Sequence, residues 1–345
     1  MDHTLHVFRG SGDGKIIQDE IKRTLGSNDV LLDITHVSIC GTDDLFLRSS
    51  QVLGHEGVGV VREKGGGVTS VNIGDRVGAG YIQNVCGECK DCVSGWNQYC
   101  ANRQRYGASA PEQGCLGKQA VWDAKALISI PQACSSTNAA ALMCGGATAW
   151  TVLTRYGIRR GQRVGIIGVG GMGHLAVKLS AALGYHTVVF SRSNSKRDDC
   201  MSFGSKEFYL IPKHTAAKAR PMNDPAGVLP GIFEPVDHLL LCSSVAEDFT
   251  MLMKLVATRG TIYPLTVSLD SVPVPLLAMI DNGIGIQGSL TASTESLFKM
   301  LQFCASNHVN PLVECHSLDQ NGVKTAFQAL KEGSVRYKTV LEKAA

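Results

Sequence analysis

Short runs of alternating apolar and polar residues dominate the first part of the chain. The runs DVLLDITHV (29–37) and EGVGVVREKG (56–65) change side with the two-residue period of a strand, and GDRV (74–77) is typical of a turn that enters another strand. We therefore predict a β-rich domain over residues 1–146.

From residue 147 the pattern changes to an alternation of strands and helices. The predicted strands are RVGIIG (163–168), HTVVFS (186–191), HLLLCS (238–243) and GTIYPL (260–265), and HLAVKLSAALG (174–184) is a predicted helix. This alternation of strands and helices predicts a parallel sheet covered by helices over residues 147–287. Residues 288–345 contain two predicted helices, STESLFKMLQFCASN and GVKTAFQALKEG, and a last strand, YKTVLE (337–342). The expected fold class is therefore α/β with two domains.

Composition limits the classes of partner. The chain has 345 residues, 44% of them hydrophobic, which suits two folded domains. Its net charge is +3, and the basic clusters RRGQR (159–163) and KR (196–197) are too small for a nucleic-acid surface. No stretch approaches a membrane span, and MDHTLHVFRGSGDGK lacks the apolar segment of a secretion signal. We expect a cytoplasmic protein whose twelve cysteines are kept reduced and available to metal.

The segment CGECKDCVSGWNQYC contains the strongest local motif. Its four cysteines are Cys86, Cys89, Cys92 and Cys100. Four thiolates at this spacing can enclose a tetrahedral ion and leave no position for substrate, which is typical of structural zinc. An iron–sulfur cluster also accepts four cysteines, so the motif predicts metal binding more firmly than the metal's identity. Acidic residues in the loop argue against a nucleic-acid-binding zinc ribbon.

A glycine-rich turn follows the first predicted strand of the second domain. In GVGGMG (168–173), Gly168, Gly170 and Gly173 form the G-x-G-x-x-G pattern, with Gly171 between them. These glycines permit a tight turn, close approach of a pyrophosphate, and close packing of helix and strand. The helix N-terminus then favours the phosphates. The sequence predicts a dinucleotide site.

The end of the second strand indicates which dinucleotide binds. NAD-binding chains usually place an acidic residue there for the ribose 2′-hydroxyl, whereas this strand continues with Ser191, Arg192, Ser193 and Lys196. Hydroxyl and cationic groups suit a 2′-phosphate. NADP(H) is the preferred prediction, and the alternative is a charged loop that faces solvent.

The segment CGTDDLFLRSSQVLGHEG (40–57) offers half of a second metal site. Cys40 and His55 are metal-ligand types separated by a short connection, and a further ligand must come from elsewhere. Cys144, in ALMCGGATAW (141–150), lies near the predicted domain boundary, where a cleft would hold cofactor and substrate. The remaining cysteines have apolar or isolated settings.

Together these motifs resemble the zinc-dependent medium-chain dehydrogenases, in the branch near the cinnamyl alcohol dehydrogenases. The resemblance covers nearly the whole chain. It depends on the four-cysteine segment together with CGTD (40–43), GHEGVG (54–59), GDRV (74–77), LMCGGAT (142–148), GVGGMG (168–173) and VRYKTVLE (335–342). It implies a GroES-like catalytic domain interrupted in sequence by a Rossmann domain, two zinc ions per chain, and a homodimer.

The resemblance also implies roles for individual residues. Cys40, His55 and Cys144 match the catalytic zinc ligands, and the four-cysteine segment matches the structural zinc site. Glu56 matches a glutamate beside the metal, Asp43 a carboxylate that orients a ligand imidazole, and Thr42 the hydroxyl that passes a proton.

For the cofactor, the resemblance places Thr148 near the nicotinamide. It leaves open whether Arg336 or Lys338 reaches the pyrophosphate; Lys338 is the residue we assign.

Two features depart from the family pattern. Many relatives carry a histidine three residues after the relay hydroxyl, where this chain has Leu45, followed by Phe46. Neither side chain can move a proton. The connection from Cys40 to His55 is also shorter than is usual in the branch, so a wall of the substrate pocket is expected to differ.

Three functions follow as hypotheses. The first is a zinc-dependent NADP(H) alcohol dehydrogenase or aldehyde reductase, with a bulky or aromatic substrate and hydride transfer at a carbonyl that zinc polarises. The second directs the hydride to a conjugated C=C, as in an enal, or to a C=N. The third is a non-redox protein that only binds a nucleotide.

Overall fold

A computed structural model describes residues 2–211, 233–243, 248–265, 267 and 271–344. The chain forms two compact units. The first comprises Met1–Ala147 and Thr291–Ala345, and the second comprises Thr148–Leu290. Among the described residues, no helix is long and apolar enough to cross a membrane.

The secondary-structure elements are numbered in chain order. The strands are β1 (Asp2–Gly10), β2 (Ile16–Thr24), β3 (Asp29–Ile39), β4 (Gly57–Lys64), β5 (Arg76–Ala79), β6 (Ile82–Asn84), β7 (Gln104–Arg105), β8 (Gln119–Asp123), β9 (Leu127–Ser129), β10 (Arg163–Ile167), β11 (His186–Ser191), β12 (Glu207–Leu210), β13 (Val236–Leu241), β14 (Val256–Pro264), β15 (Gly285–Ile286), β16 (Val313–Ser317) and β17 (Lys338–Glu342). The α-helices are α1 (Gly41–Asp44), α2 (Lys90–Val93), α3 (Ser136–Leu142), α4 (Gly145–Arg155), α5 (Gly171–Ala182), α6 (Arg197–Ser202), α7 (Phe249–Met253), α8 (Leu276–Asn282), α9 (Thr294–Ser306) and α10 (Gln320–Glu332). Short 3₁₀ turns occupy Asn97–Tyr99, Ala124–Ala126 and Asn194–Lys196.

A mixed sheet forms the centre of the first unit. Its strand order is β16-β17-β3-β4-β5-β9, and β8 also pairs with β3. Val30, Leu32 and Ile34, at alternate positions of β3, are fully buried, as the alternating pattern of this run predicts. The pairing of β3 with β4 shifts register between Ile34 and His36, and Val37, beyond the shift, belongs to the same core cluster. β3 lies in the centre of the sheet, so its carboxyl end is held in place. The first proposed metal ligand directly follows this end.

The N-terminal hairpin was not anticipated. β1 and β2 pair antiparallel from Asp2 with Thr24 to Gly10 with Ile16, and Leu5, Val7 and Ile21 bury their side chains. More than half of the residues on each strand are charged or polar, which weakens the period-2 signal. The reversal includes Gly14 with φ of 79°, a conformation that glycine adopts readily.

Six parallel strands form the sheet of the second unit. Their order is β12-β11-β10-β13-β14-β15, and every pairing in this sheet is parallel. The four strands expected from apolar runs are β10, β11, β13 and β14, which confirms the predicted fold class. Such runs arise because helices cover both faces of a parallel sheet. The order changes direction at β10 and β13, a topology that is typical of dinucleotide-binding folds.

Candidate active site and metal centres

Cys40 stands where β3 ends and α1 begins. Its sulfur accepts a hydrogen bond from the backbone N–H of Thr42 at 3.5 Å, and its own N–H donates to Oδ2 of Asp43 at 3.0 Å. This reciprocal capping satisfies backbone donors at the helix start. The thiol is therefore held by the same contacts that begin the helix.

His55 is oriented by Asp43. Nδ1 of the imidazole lies 3.0 Å from Oδ1 of Asp43, and both side chains are fully buried. An ionised carboxylate only accepts hydrogen bonds, so Nδ1 donates to Asp43, and the neutral form of the imidazole has its lone pair on Nε2. Within the part of the chain that the structure describes, Nε2 has no hydrogen bond of normal geometry. This is the tautomer that a metal ligand requires.

Glu56 forms a buried ion pair with Lys338. Oε2 of Glu56 accepts from Nζ of Lys338 at 2.5 Å, and the ammonium also donates to the carbonyl of Ile39 at 3.3 Å. Oε1 of Glu56 has no hydrogen-bond partner among the described residues and lies 3.9 Å from Nε2 of His55. One carboxylate oxygen is thus neutralised, and the other faces the histidine.

Four side chains bring potential ligand atoms together. One such atom each from Cys40, His55, Glu56 and Cys144 lies within 4.8 Å of the other three. Cys144 occupies the junction between α3 and α4. Two sulfurs, an imidazole nitrogen and an oxygen are a donor set that suits Zn²⁺. Two of these atoms, Nε2 of His55 and Oε1 of Glu56, are buried and have no hydrogen-bond partner among the described residues, so the four side chains fit a cation.

The protonation of the cluster agrees with this fit. A hydrogen bond with Cys144 lowers the pKa of Cys40 and favours its thiolate. Burial lowers the pKa of His55, but the charges of Asp43 and Cys40 outweigh it and hold the pKa well above its usual value. Burial raises the pKa of Glu56 to about 7, against the opposing charge of Lys338. The excess of negative groups favours a positive charge at Nε2, which is either the second proton of an imidazolium or a metal ion in its place.

The four-cysteine lobe forms a second cluster. Sγ of Cys86 lies 3.5 Å from Sγ of Cys100 and 3.9 Å from Sγ of Cys92, and Cys89 completes the set within 4.8 Å. Zinc–sulfur bonds of about 2.3 Å at tetrahedral angles separate sulfur atoms by about 3.8 Å. The lobe therefore fits a four-thiolate ion.

Backbone donors prepare this second cluster. N–H groups of Glu88 and Cys89 bond to the sulfur of Cys86 and lower its pKa to about 6. The lobe is also tied to α9, because Nδ2 of Asn97 donates to Oγ1 of Thr294 at 2.9 Å. Four cysteine ligands would complete a tetrahedral site and leave no position for a substrate.

The glycine turn in the second unit has the geometry that the motif requires. Gly168 has φ of 85°, and a Cβ there would lie 2.6 Å from the backbone of Ser243. A Cβ on Gly173 would lie 1.8 Å from the carbonyl oxygen of Gly168. Nothing lies within 4 Å of the corresponding position on Gly170, where α5 begins. The turn is tightly packed on one side and open at the helix N-terminus.

The residues expected near a 2′-phosphate follow β11. Oγ of Ser191 donates to the carbonyl of Ser193 at 3.0 Å. Nζ of Lys196 donates to the carbonyl of Val169 at 2.7 Å, inside the glycine turn, and Arg192 is half-buried beside Ser191. The structure thus brings Lys196 next to the predicted dinucleotide turn.

Three further expected site residues, Thr42, Thr148 and Lys338, have different surroundings. Oγ1 of Thr42 is 3.6 Å from Sγ of Cys40, whereas Thr148 is half-buried within α4. Lys338, which we assigned to the pyrophosphate, is only 5% exposed and is engaged with Glu56. Tyr106 was not among the residues predicted from the sequence, and its hydroxyl donates to Asp43 at 2.8 Å. A tyrosine 51 residues beyond His55 carries no spacing motif.

Comparison with known proteins places the chain in a family. Residues 26–132 match the alcohol dehydrogenase GroES-like domain, and residues 171–306 match the zinc-binding dehydrogenase domain. Cinnamyl alcohol dehydrogenase 1 of Ocimum basilicum is 32% identical over 338 residues, covering 93% of this chain and 90% of that protein. Cinnamyl alcohol dehydrogenase 5 of Arabidopsis thaliana is 32% identical over 335 residues, with the same coverage.

Solved structures of cinnamyl alcohol dehydrogenases are also similar to this chain. A cinnamyl alcohol dehydrogenase of Sorghum bicolor superposes with a TM-score of 0.86 at 26% identity, covering 99% of this chain and 98% of that one. The corresponding Helicobacter pylori enzyme, solved with NADP(H), gives 0.85 at 25% identity and covers 99% of both chains.

The chain belongs to the zinc-dependent medium-chain dehydrogenase/reductase family, in its cinnamyl alcohol dehydrogenase-like branch. It is an oxidoreductase that acts on CH–OH and C=O groups. The two-domain fold expected from the sequence is confirmed. Zinc and NADP(H), the two expected cofactors, are both supported by these matches and by the two clusters of donor atoms.

Proposed function

We propose that this protein is an NADP(H)-dependent alcohol dehydrogenase or aldehyde reductase for a bulky or aromatic substrate, with zinc held by Cys40, His55 and Cys144. The buried cluster in which His55 keeps Nε2 available beside two thiols carries the proposal. The aromatic substrate class is supported by the relatives named as cinnamyl alcohol dehydrogenases.

In the proposed reaction, the cofactors would supply the chemistry, and the protein side chains would position and charge the site. Bound zinc supplies Lewis acidity at the substrate oxygen, and the nicotinamide supplies or accepts a hydride. Asp43 holds His55 in the ligand tautomer. Lys338 pairs with one oxygen of Glu56 and so offsets part of the negative charge of the acidic side chains in the site.

Thr42 is the group proposed to move the proton of the reacting oxygen. Its hydroxyl lies 3.6 Å from Sγ of Cys40, at the edge of the cluster. Leu45 follows at the position where relatives carry a histidine, and it is 58% exposed. From Thr42 the proton must therefore continue through water or the cofactor ribose.

Ser191, Arg192, Ser193 and Lys196 are proposed to select NADP(H) over NAD(H). The contact of Lys196 with the glycine turn supports this, because it brings a cation next to the proposed dinucleotide site. Gly168, Gly170, Gly171 and Gly173 form the turn itself, and Thr148 is proposed to lie near the nicotinamide. Cys86, Cys89, Cys92 and Cys100 are proposed to hold the second, structural zinc.

A homodimer is proposed through the edge of the parallel sheet. β15 is an edge strand of two exposed residues. Nearby in sequence, α8 exposes Leu276, Leu277 and Ile280 by 64%, 64% and 71%. Exposed apolar residues that cluster in this way mark association surfaces. The cytoplasmic location stays a prediction.

One observation favours a second candidate function. Leu45 and Phe46 provide no proton-transfer group where relatives have one, so a hydride acceptor that does not need this relay is chemically suited. Hydride addition to a conjugated C=C or C=N still needs a proton, but that proton goes to carbon or nitrogen and can come directly from water, so such a reduction would meet that condition.

Product analysis separates these functions. Purified protein is mixed with NADPH and an aryl-substituted enal, cofactor oxidation is followed by absorbance, and the product is identified by mass spectrometry and NMR. The allylic alcohol alone supports the first function, and the saturated aldehyde supports the second. No oxidation of NADPH by any member of an aldehyde and enal panel would contradict both.

A further inference from the structure

Tyr106 contacts two members of the proposed catalytic zinc site at once. Its ring stacks on the imidazole of His55, with centroids 4.7 Å apart and planes inclined by 28°. Its hydroxyl donates a hydrogen bond of 2.8 Å to Oδ1 of Asp43. The residue is 1% exposed, so both contacts are shielded from water. A single side chain thus fixes the plane of the ligand and the carboxylate behind it.

We propose that Tyr106 is a positioning residue for the metal ligand His55, and that it acts through Asp43. Oδ1 of Asp43 faces three donors, which are Nδ1 of His55 at 3.0 Å, the N–H of Gly54 at 3.1 Å and the hydroxyl of Tyr106. Groups that hold the partner of a ligand histidine tune both its orientation and the metal affinity. This inference rests on the metal site of the proposed function.

The segment that carries Tyr106 is firmly held. The N–H of Tyr106 donates to the carbonyl of Tyr81 at 3.0 Å. Further along, the carbonyl of Gln113 accepts from Nε2 of Gln51 and from Nε2 of Gln83, each at 2.9 Å. The donating side chains of these two bonds are buried. These bonds hold the backbone of the segment in place and so fix the point from which the Tyr106 side chain extends.

The shortened connection between the ligands supports the same tyrosine. Phe46 packs edge-on against the ring of Tyr106, with centroids 5.3 Å apart and planes at 84°. Gly107 has φ of 76°, and a Cβ there would lie 1.9 Å from the ring of Phe46. Phe46, the neighbour of Leu45, thus packs edge-on against the ring that contacts His55.

Tyr106→Phe tests the role of the hydroxyl, because it keeps the ring on His55. Zinc release to a chromogenic chelator is followed in the folded protein, and the catalytic-site phase is the one that Cys144→Ser abolishes. We expect this phase to report an affinity about 10- to 100-fold weaker in Tyr106→Phe. Tyr185→Phe is the matched control. It removes another buried hydroxyl, which donates to the carbonyl of Leu153 at 2.7 Å, and it should leave this phase unchanged.

A spectroscopic readout separates positioning from general stability. In Co²⁺-substituted protein, Tyr106→Phe should shift the ligand-field bands of the catalytic site, while Tyr185→Phe leaves them in place. Unchanged affinity and unchanged bands in Tyr106→Phe would overturn the proposal, even if the melting temperature fell. If the wild-type protein lacked the release phase altogether, the metal site of the proposed function would itself be wrong.

Discussion

The ammonium of Lys338 and a carboxylate oxygen of Glu56 form an ion pair inside the first unit, 2.5 Å apart. Both side chains are withdrawn from water, and the other oxygen of Glu56 faces Nε2 of His55. Lys338 comes from the last strand of the chain, whereas Glu56 directly follows a proposed metal ligand. The C-terminal strand therefore sets the charge of the cluster.

Replacing Lys338 by methionine should destabilise the protein strongly. It leaves a buried carboxylate without its partner, which typically costs about 3–5 kcal/mol. Urea unfolding of wild type and variant at equal zinc content measures the effect. Lys338→Arg should retain most of the stability, and adding Glu56→Gln to Lys338→Met should recover part of the loss. Equal stability of wild type and Lys338→Met would show that the ion pair is unimportant.

Lys196→Ala should weaken binding of NADPH more than binding of NADH. Loss of one charge-assisted contact of about 1.5–3 kcal/mol corresponds to a rise of about 10- to 100-fold in the KM for NADPH. Steady-state kinetics with both cofactors measure it. The control is Lys206→Ala, which removes an exposed lysine from the same unit. A similar rise for both cofactors would remove the argument for 2′-phosphate recognition by Lys196.

Cys89→Ser should remove one class of bound zinc and lower the melting temperature. The four sulfurs enclose a site without a free position, so three remaining thiolates bind the ion less tightly. Atomic absorption should find about half of the wild-type zinc. Cys315→Ser, which changes an exposed cysteine outside both clusters, should retain all of it. Full zinc content together with an unchanged melting temperature in Cys89→Ser would contradict a structural zinc site that uses this thiolate.

Glu207 should contribute stability that disappears in acid. Hydrogen bonds from Arg163 are the main reason that its pKa falls from 4.5 to about 2. A carboxylate with a lowered pKa stabilises the folded state above its unfolded pKa, and this contribution is lost as the pH falls from about 4.5 to about 2.

The comparison of wild type with Glu207→Gln measures this contribution, which is about 2 kcal/mol at pH 7 after allowance for solvent screening. The difference in melting temperature between the two proteins should shrink as the pH falls through that range. Glu112→Gln, at an exposed position, controls for the loss of one negative charge. A difference that stays constant from pH 7 to pH 3 would contradict this account.

Local sequence patterns predicted the structural elements that depend only on neighbouring residues. β3 and β10 follow from short apolar runs, and the turn at Gly168 follows from a motif in which each glycine has a steric reason. Cys40 and His55 could be paired because both flank one short connection. These predictions need only the sequence near each residue.

Local patterns could not predict contacts between residues that are far apart in the sequence. Tyr106 meets His55 because the segment after β7 folds back on the sheet, and Lys338 meets Glu56 because β17 pairs with β3. A buried lysine in an apolar strand could have suggested an internal partner, since lysine is rarely buried unless it is paired. No comparable signal existed for Tyr106, because an isolated tyrosine is common in protein cores.

Selective removal of the catalytic-site metal tests the central claim most directly. Zinc is withdrawn from the catalytic site, which is the site that Cys144→Ser abolishes, while the four-cysteine site keeps its zinc. NADPH oxidation by an aromatic aldehyde is then measured before and after zinc is returned. The account predicts loss of at least 100-fold of the activity, as expected when several kcal/mol of charge stabilisation are removed, and recovery on return of zinc. Full activity in protein verified to lack this ion would contradict it.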